Sequence, residues 1–98
     1  MRAVWTREAA DDLESVLSYI AARNPIAAAA VAERIDRTVD DIVSFPRAAR
    51  LDQETGCREA VVRGLPLLII YTVTSDLIEI IAVFHTSRDP ASKRLPRS

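Results

Sequence analysis

Two nearly unbroken apolar runs, residues 65–73 and 77–84, dominate the pattern of hydrophobic and polar positions. Runs of that length need cover on both faces, so they predict adjacent buried strands, with 74–76 as a short hairpin connection. Just ahead of them, 58–63 alternates, Val61 falling on one side and Ala60 and Val62 on the other, as in a half-buried strand. Gly64 and Pro66 mark the turn between, which makes a three-stranded meander. It delivers the chain's only histidine, His85, into an arginine-bearing tail, HTSRDPASKRLPRS.

The first half changes period. Residues 2–5 form a short apolar stretch that predicts an N-terminal strand, and Thr6 can then cap a helix, with Glu8 and Asp11 near its positive end. Ala9, Leu13, Val16, Leu17 and Ile20 recur at spacings of three and four, predicting an amphipathic helix over 7–22. Asn24 caps a second helix and Pro25 suits its first position, so the two form a tight hairpin. The second helix buries Ala28, Val31, Ala32, Ile35, Val39 and Ile42 and wets Glu33, Arg34, Asp36, Arg37, Asp40 and Asp41. The alanines 27–30 permit a close approach by another helix, and Phe45 with Pro46 ends the element. Residues 47–57 lack periodicity, finish with Thr55 and Gly56, and are expected to be an exposed loop. The layout is β-α-α-β-β-β, an α+β fold with a mainly antiparallel sheet and the helical hairpin packed on one face.

At 98 residues the chain is expected to be a single domain over 1–98, with a basic C-terminal tail at 85–98. With 49% hydrophobic and 28% charged residues and a net charge of −1, it has the composition of a compact globule. One cysteine, Cys57, excludes an internal disulfide, and one His with one Cys leaves no zinc cluster, so neither metal nor cofactor is expected. No apolar run approaches the ~20 residues of a membrane span and no signal-like segment opens the chain, so a cytoplasmic location without membrane association is expected.

Charge is unevenly spread. Residues 1–43 carry five arginines against eight acids, whereas 44–98 carry eight basic residues against six acids, and from His85 onward four basic residues face one acid. Lys93 is the only lysine, so the positive charge is nearly all guanidinium, the group suited to bidentate carboxylate or phosphate contacts. A pI near 5.8 argues against a dedicated nucleic-acid binder.

A metal-free nuclease needs a general base, a general acid and cations for the phosphate. A histidine ordinarily changes charge near neutrality, so His85 could fill either of the first roles, and Arg63 and Arg88 could bind phosphate. Each has a plain alternative: His85 bonded at a strand end, Arg63 solvated in a turn. Glu59 and Glu79 lie on strands and could supply a second acid or base, Cys57 reads as an ordinary small residue, and two glycines cannot make a phosphate loop.

The order W-T-x-x-A-x-x-D-L from Trp5, YIAARNP from Tyr19, FP at Phe45, RE at Arg58, G-x-P-x-x-I-I-Y from Gly64 and V-F-H-x-x-R-D from Val83 resembles the ParE branch of the ParE/RelE toxin superfamily. These are plasmid stabilisation proteins of type II toxin–antitoxin systems, and the resemblance spans about residues 3–90. It implies a toxin that inhibits or poisons DNA gyrase without a chemical step of its own. It also implies a complex with a ParD-type antitoxin that wraps it as a helix followed by an extended stretch, and no sequence-specific nucleic-acid binding by the toxin alone. The RelE branch would instead imply a ribosome-dependent mRNA endonuclease using His85, Arg63 and Arg88, though no lysines precede Arg63 and no tyrosine follows Tyr71. A non-toxic protein-binding module on the same fold is the third possibility. Partner-binding residues are expected at Arg58, Arg63, His85, Arg88, Lys93 and Arg94.

Arg88, Lys93, Arg94 and Arg97 sit on a segment interrupted by Pro90 and Pro96, which predicts an extended tail that helps engage an acidic or DNA-bound target. Truncation after Asp89 removes no strand, so it is expected to leave thermal stability nearly unchanged while weakening growth arrest and inhibition of supercoiling. Full potency in the truncated protein would mark the tail as a solvated end and move the target-binding surface to the helical hairpin.

Overall fold

The computed structural model describes residues 1–86. Their order is β1 (Arg2–Trp5), α1 (Arg7–Ala21), α2 (Pro25–Ser44), β2 (Arg50–Leu51), β3 (Arg58–Val61), β4 (Leu67–Val73) and β5 (Leu77–His85). The strands form one sheet in the order β1-β5-β4-β3-β2, antiparallel except where β1 runs parallel to β5. The fold is α+β, with the two helices on one face of the sheet.

The helix boundaries follow from their caps. Thr6 holds an extended backbone and its hydroxyl accepts from the Ala9 N–H at 3.1 Å, while the Asn24 side chain accepts from Ala27 at 3.1 Å with Pro25 next in the chain. Such caps contribute about 1 kcal/mol each. Between the helices the N–H of Asn24 bonds to the Ile20 carbonyl at 2.8 Å, closing the hairpin through a turn of only three residues, 22–24. Ala9 and Val16 from α1 and Val31, Ile35 and Ile42 from α2 meet Val62, Leu67, Ile69, Tyr71, Ile78 and Ile80 from the sheet region in the main core.

The sheet has a second apolar face. Leu68, Ile70, Ala82 and Phe84 are buried together there, with Cys57 and Ile81 packed against them. A bulge in β5 decides which residues face each layer. Tyr71 opposes Ile80 but Ile70 opposes Ala82, so Ile81 is an extra residue. Directly opposed residues share a face, and an inserted residue inverts the alternation beyond it. Ile78 and Ile80 therefore point at the helices, whereas Ala82 and Phe84 point away, and Val83 and His85 turn back to the helical side with Ile69 and Leu67.

The stretch 47–57, expected to be an exposed loop, holds a two-residue exposed strand and forms a small hairpin arm. Arg50 and Leu51 pair with Glu59 and Arg58, an Arg50–Glu59 ion pair of 3.0 Å crosses the two strands, and the Asp52 N–H bonds to the Cys57 carbonyl at 2.8 Å. Two residues carry no detectable period, and their pairing depends on partners seven and nine positions away, so the pattern could not announce it. The alternation read over 58–63 is strand only to Val61; the Val62 and Leu65 N–H groups then enter the turn.

Two fasteners tie α2 to the sheet. Tyr71 is fully buried, and its hydroxyl donates to the Pro46 carbonyl at 2.8 Å, just past the end of α2. Midway along α2, Gly64 of the β3–β4 turn adopts φ +78°, and a Cβ there would run into the Arg34 guanidinium. The left-handed backbone costs a non-glycine residue about 1–2 kcal/mol. Gly64→Ala is expected to lower unfolding free energy by about that amount, and by less in an Arg34→Ala background, where nothing remains to be displaced. Urea denaturation of the four-protein cycle measures both terms; equal losses in the two backgrounds would show that Arg34 is irrelevant to the glycine.

Candidate functional site

The end of the sheet that carries the β3–β4 turn lies beside the middle of α2. Arg34 reaches across and its Nη1 donates to the Arg63 carbonyl at 3.0 Å, while the Thr38 hydroxyl donates back to the Arg34 carbonyl at 2.9 Å. Between helix and turn is a cleft of about 370 Å³ lined by Arg34, Arg37, Thr38, Asp41 and Arg63. Three guanidiniums and one carboxylate thus converge on a single depression. Arg37 also contacts Glu33 at 3.4 Å, a helical pair in which both side chains are mostly exposed and whose net worth is small.

Of the residues expected at a site, Arg63 is in this cleft. Arg34 and Arg37 were read from sequence only as part of the wet face of α2. The signal that would have found them is the spacing 34, 37, 38, 41, a polar stripe on one helical face. His85 is near but separate: it opposes Leu67 on β4, and Val62, the residue before Arg63, bonds to Leu67 from the other side. Two strand spacings, about 10 Å, therefore separate the backbones of His85 and the Arg63 turn. The bulge at Ile81 places His85 on the helical side of the sheet, half-buried. Thr86 anchors the chain beyond it, its N–H and hydroxyl both directed at the Pro66 carbonyl at 2.8 and 3.2 Å.

Arg58 sits at the far end of β3, opposite Tyr71, and its Nη1 donates to the carbonyls of Arg47 and Ala49 at 3.0 and 2.9 Å. It fastens the chain that leaves α2. Glu59 is the partner of Arg50, and Glu79 is exposed at the β1 end of β5, six residues before His85. Burial pushes the Tyr71 phenol above its ordinary pKa, against the opposing pull of Arg58, so at neutral pH it remains a protonated donor to Pro46. Arg88, Lys93 and Arg94 lie outside the described residues. Among the described residues no group of three or more His, Cys, Asp or Glu is placed to hold a metal ion, and no helix is long and apolar enough to cross a membrane.

Sequence reasoning also passed over Asp12. β1 pairs with β5 only as far as Ile80, and beyond that point the edge of β5 faces α1, from which the Asp12 carboxylate accepts the Val83 N–H at 3.0 Å. Burial raises the Asp12 pKa, the bond from Val83 lowers it, and the nearby Asp11 and Glu8 carboxylates raise it further; the net direction is upward.

A family profile described as the ParE toxin of the type II toxin–antitoxin system parDE matches residues 3–90. A candidate toxin, Y4kP, from Sinorhizobium fredii is 35% identical over 81 residues, covering 83% of each protein. A protein named toxin RelE2 from Caulobacter vibrioides is 35% identical over 85 residues, 87% of this chain and 94% of the relative. Among solved structures, a chain of a chromosomal ParDE toxin–antitoxin system from P. aeruginosa superposes with a TM-score of 0.74 over 85% of this chain and 92% of its own, at 24% identity, a likeness of fold.

Because folding raises the pKa of Asp12, its contribution to stability is full below the unfolded value and is lost as pH rises through the folded one. At neutral pH the ionised carboxylate keeps its bond at the cost of desolvation. Asp12→Asn retains an acceptor without the charge, so it is expected to be at least as stable as wild type at pH 7, with the advantage vanishing as pH falls toward ~4. Asp12→Ala is expected to cost about 1 kcal/mol at pH 7, the worth of one bond to a backbone amide. Thermal unfolding across pH 4–8 checks both; an Asn variant less stable than wild type at pH 7 would contradict the sign.

Proposed function

Because this chain belongs to the ParE toxin family of type II toxin–antitoxin systems, whose profile spans residues 3–90, we propose that it inhibits or poisons DNA gyrase and is held inactive by a ParD-type antitoxin. The observation that carries this reading is the disposition of the side chains a nuclease would need. β4 runs between His85 and the Arg63 turn, the Arg58 guanidinium is committed to two carbonyls, and the Tyr71 hydroxyl is committed to a third. A protein that acts by occupying its target needs complementary surfaces instead of a proton-transfer pair. This chain offers two of opposite sign, an acidic helical half and a guanidinium-rich end of the sheet, which favours an oriented encounter with a partner of mixed charge. The partner-binding set on this reading is Arg58, Arg63 and His85, with Arg88, Lys93 and Arg94 beyond the described residues. The pairing of toxin with antitoxin in the P. aeruginosa ParDE system supports carrying such a partner over to this chain.

The second reading is a ribosome-dependent mRNA endonuclease. The relative named toxin RelE2 favours it, as does the position of Arg63 and His85 at the same end of the sheet. The two readings differ over one side chain. His85→Ala is expected to leave toxicity within a few-fold of wild type and to leave inhibition of gyrase supercoiling intact. A general acid or base would contribute ~10²- to 10⁴-fold in rate. A loss on that scale in a folded variant, together with wild-type cleavage of mRNA on the ribosome, would transfer the protein to the nuclease reading. A short reading frame immediately upstream, encoding a ribbon-helix-helix protein that co-purifies with the toxin, is the expected source of the antitoxin.

A further inference from the structure

We propose that the cleft between α2 and the β3–β4 turn is a receptor for a side-chain carboxylate of the antitoxin, with Phe45 as an adjoining apolar anchor; this rests on the reading that an antitoxin holds the toxin inactive. Three observations converge. The first is preorganisation. Arg34 spends one N–H on the Arg63 carbonyl, and the missing Cβ of Gly64 leaves room for its guanidinium, so the head group is held across the cleft with its remaining donors uncommitted among the described residues. Arg63 makes no ion pair among the described residues, and Arg37 has only its exposed contact with Glu33. A fork of guanidiniums fixed in this way matches the two oxygens of a carboxylate.

The second observation is the sign pattern, which discriminates between anions. Asp41 lies in the same cleft, one helical turn beyond Arg37 and Thr38. A run of phosphates laid along this stripe would meet that carboxylate after the first favourable contact, whereas a single carboxylate flanked by a donor would not. The mixed cleft therefore favours an acidic residue of a polypeptide over a nucleic-acid backbone.

The third observation is the continuation of the stripe. Arg34, Arg37, Thr38, Asp41 and Phe45 follow one another at helical spacing, and Phe45, 69% exposed at the C-cap of α2, is the bare apolar residue at its end. Pro46 beside it is used by the Tyr71 hydroxyl, while the Phe45 ring is left to solvent. From Arg37 to Phe45 is about 12 Å along the helix. The matching partner is a helical segment with an acidic residue and an apolar residue two turns apart.

Arg37→Gln with Arg63→Gln tests this in the full chain, leaving Arg34 and its bond to the Arg63 carbonyl in place; Phe45→Ala is the independent variant. The first probe is a hexaglutamate peptide, followed through the Nε–H resonances of the arginines. It is expected to shift Arg34, Arg37 and Arg63, and to bind the double variant about five- to tenfold more weakly. Shifts confined to other arginines, equal binding by the double variant, equal shifts from inorganic phosphate, or tighter occupation of the cleft by a DNA duplex would each overturn the proposal. The second probe is the antitoxin from the adjoining gene, titrated at low and high salt. The double variant is expected to bind it about five- to tenfold more weakly at low salt, with the difference shrinking as salt screens the pair, and Phe45→Ala to weaken it at both. Undiminished binding by all variants overturns the cleft as the docking site and leaves the antitoxin reading standing. An antitoxin that fails to bind the wild-type chain overturns that reading, and with it the partner named here, whatever the peptide shows.

Discussion

The requirement that β4 be covered on both of its faces organises this molecule. Leu67, Ile69 and Tyr71 point to the helices and Leu68 and Ile70 point away, so five consecutive buried residues demand two separate apolar layers. The helical hairpin supplies one. The other is assembled within the sheet from Ala82 and Phe84 on β5, and this happens only because the Ile81 bulge inverts the alternation halfway along that strand. A straight β5 would have set Ile81 and Val83 opposite Ile70 and Leu68 and turned Ala82 and Phe84 to the helices; the bulge instead gives the outer layer to Ala82 and Phe84. Truncating one of the buried Ile or Leu side chains would cost ~2–5 kcal/mol, a large share of what holds a domain of this size together. The same bulge decides that His85 emerges on the helical side.

Around this layered pair, many residues of the recognisable family motifs act as fasteners. Thr6 and Asn24 cap the helices, Asp12 closes the edge of β5 beyond β1, Gly64 makes way for Arg34, Arg58 gathers the carbonyls of Arg47 and Ala49, and Tyr71 ties the end of α2 to the centre of the sheet. The part-buried bonds among them, to the N–H groups of Ala9 and Val83 and the carbonyls of Ala49 and Pro46, pair backbone groups that would be costly to leave unsatisfied. The fingerprint of the family is thus largely a description of how the platform is held together. That is why it identifies the fold and the toxin class and leaves the target to surfaces outside it.

Those surfaces have a simple electrostatic arrangement. The acidic excess belongs to the half of the chain that forms the hairpin, yet α2 also carries Arg34 and Arg37 to the turn that bears Arg63, so the boundary between the two signs falls in the cleft and not between helices and sheet. A partner that reads this boundary must carry both signs at a definite spacing, a stronger basis for specificity than net charge alone.

Sequence by itself determined the elements, because each rests on a short-range signal: the caps at Thr6 and Asn24, the spacing of Val31, Ile35 and Ile42, the unbroken apolar runs of β4 and β5, and the turn at Gly64. It also determined the family, through motifs spread over nearly the whole chain. Tertiary structure alone decided the rest. The pairing of Arg50–Leu51 with Arg58–Glu59 involves two residues with no period of their own, and the capture of Val83 by Asp12 joins groups 71 positions apart. The bulge at Ile81 lies in the stretch 80–84, whose residues are all apolar, so alternation holds no information about which face each takes. The cleft of Arg34, Arg37 and Arg63 joins a helix to a turn 29 residues away, and helical period alone could say only that the first two were wet. Local pattern reports what a segment buries; which partner it meets depends on the packing of segments far apart in the chain, and that is settled only when the whole core closes.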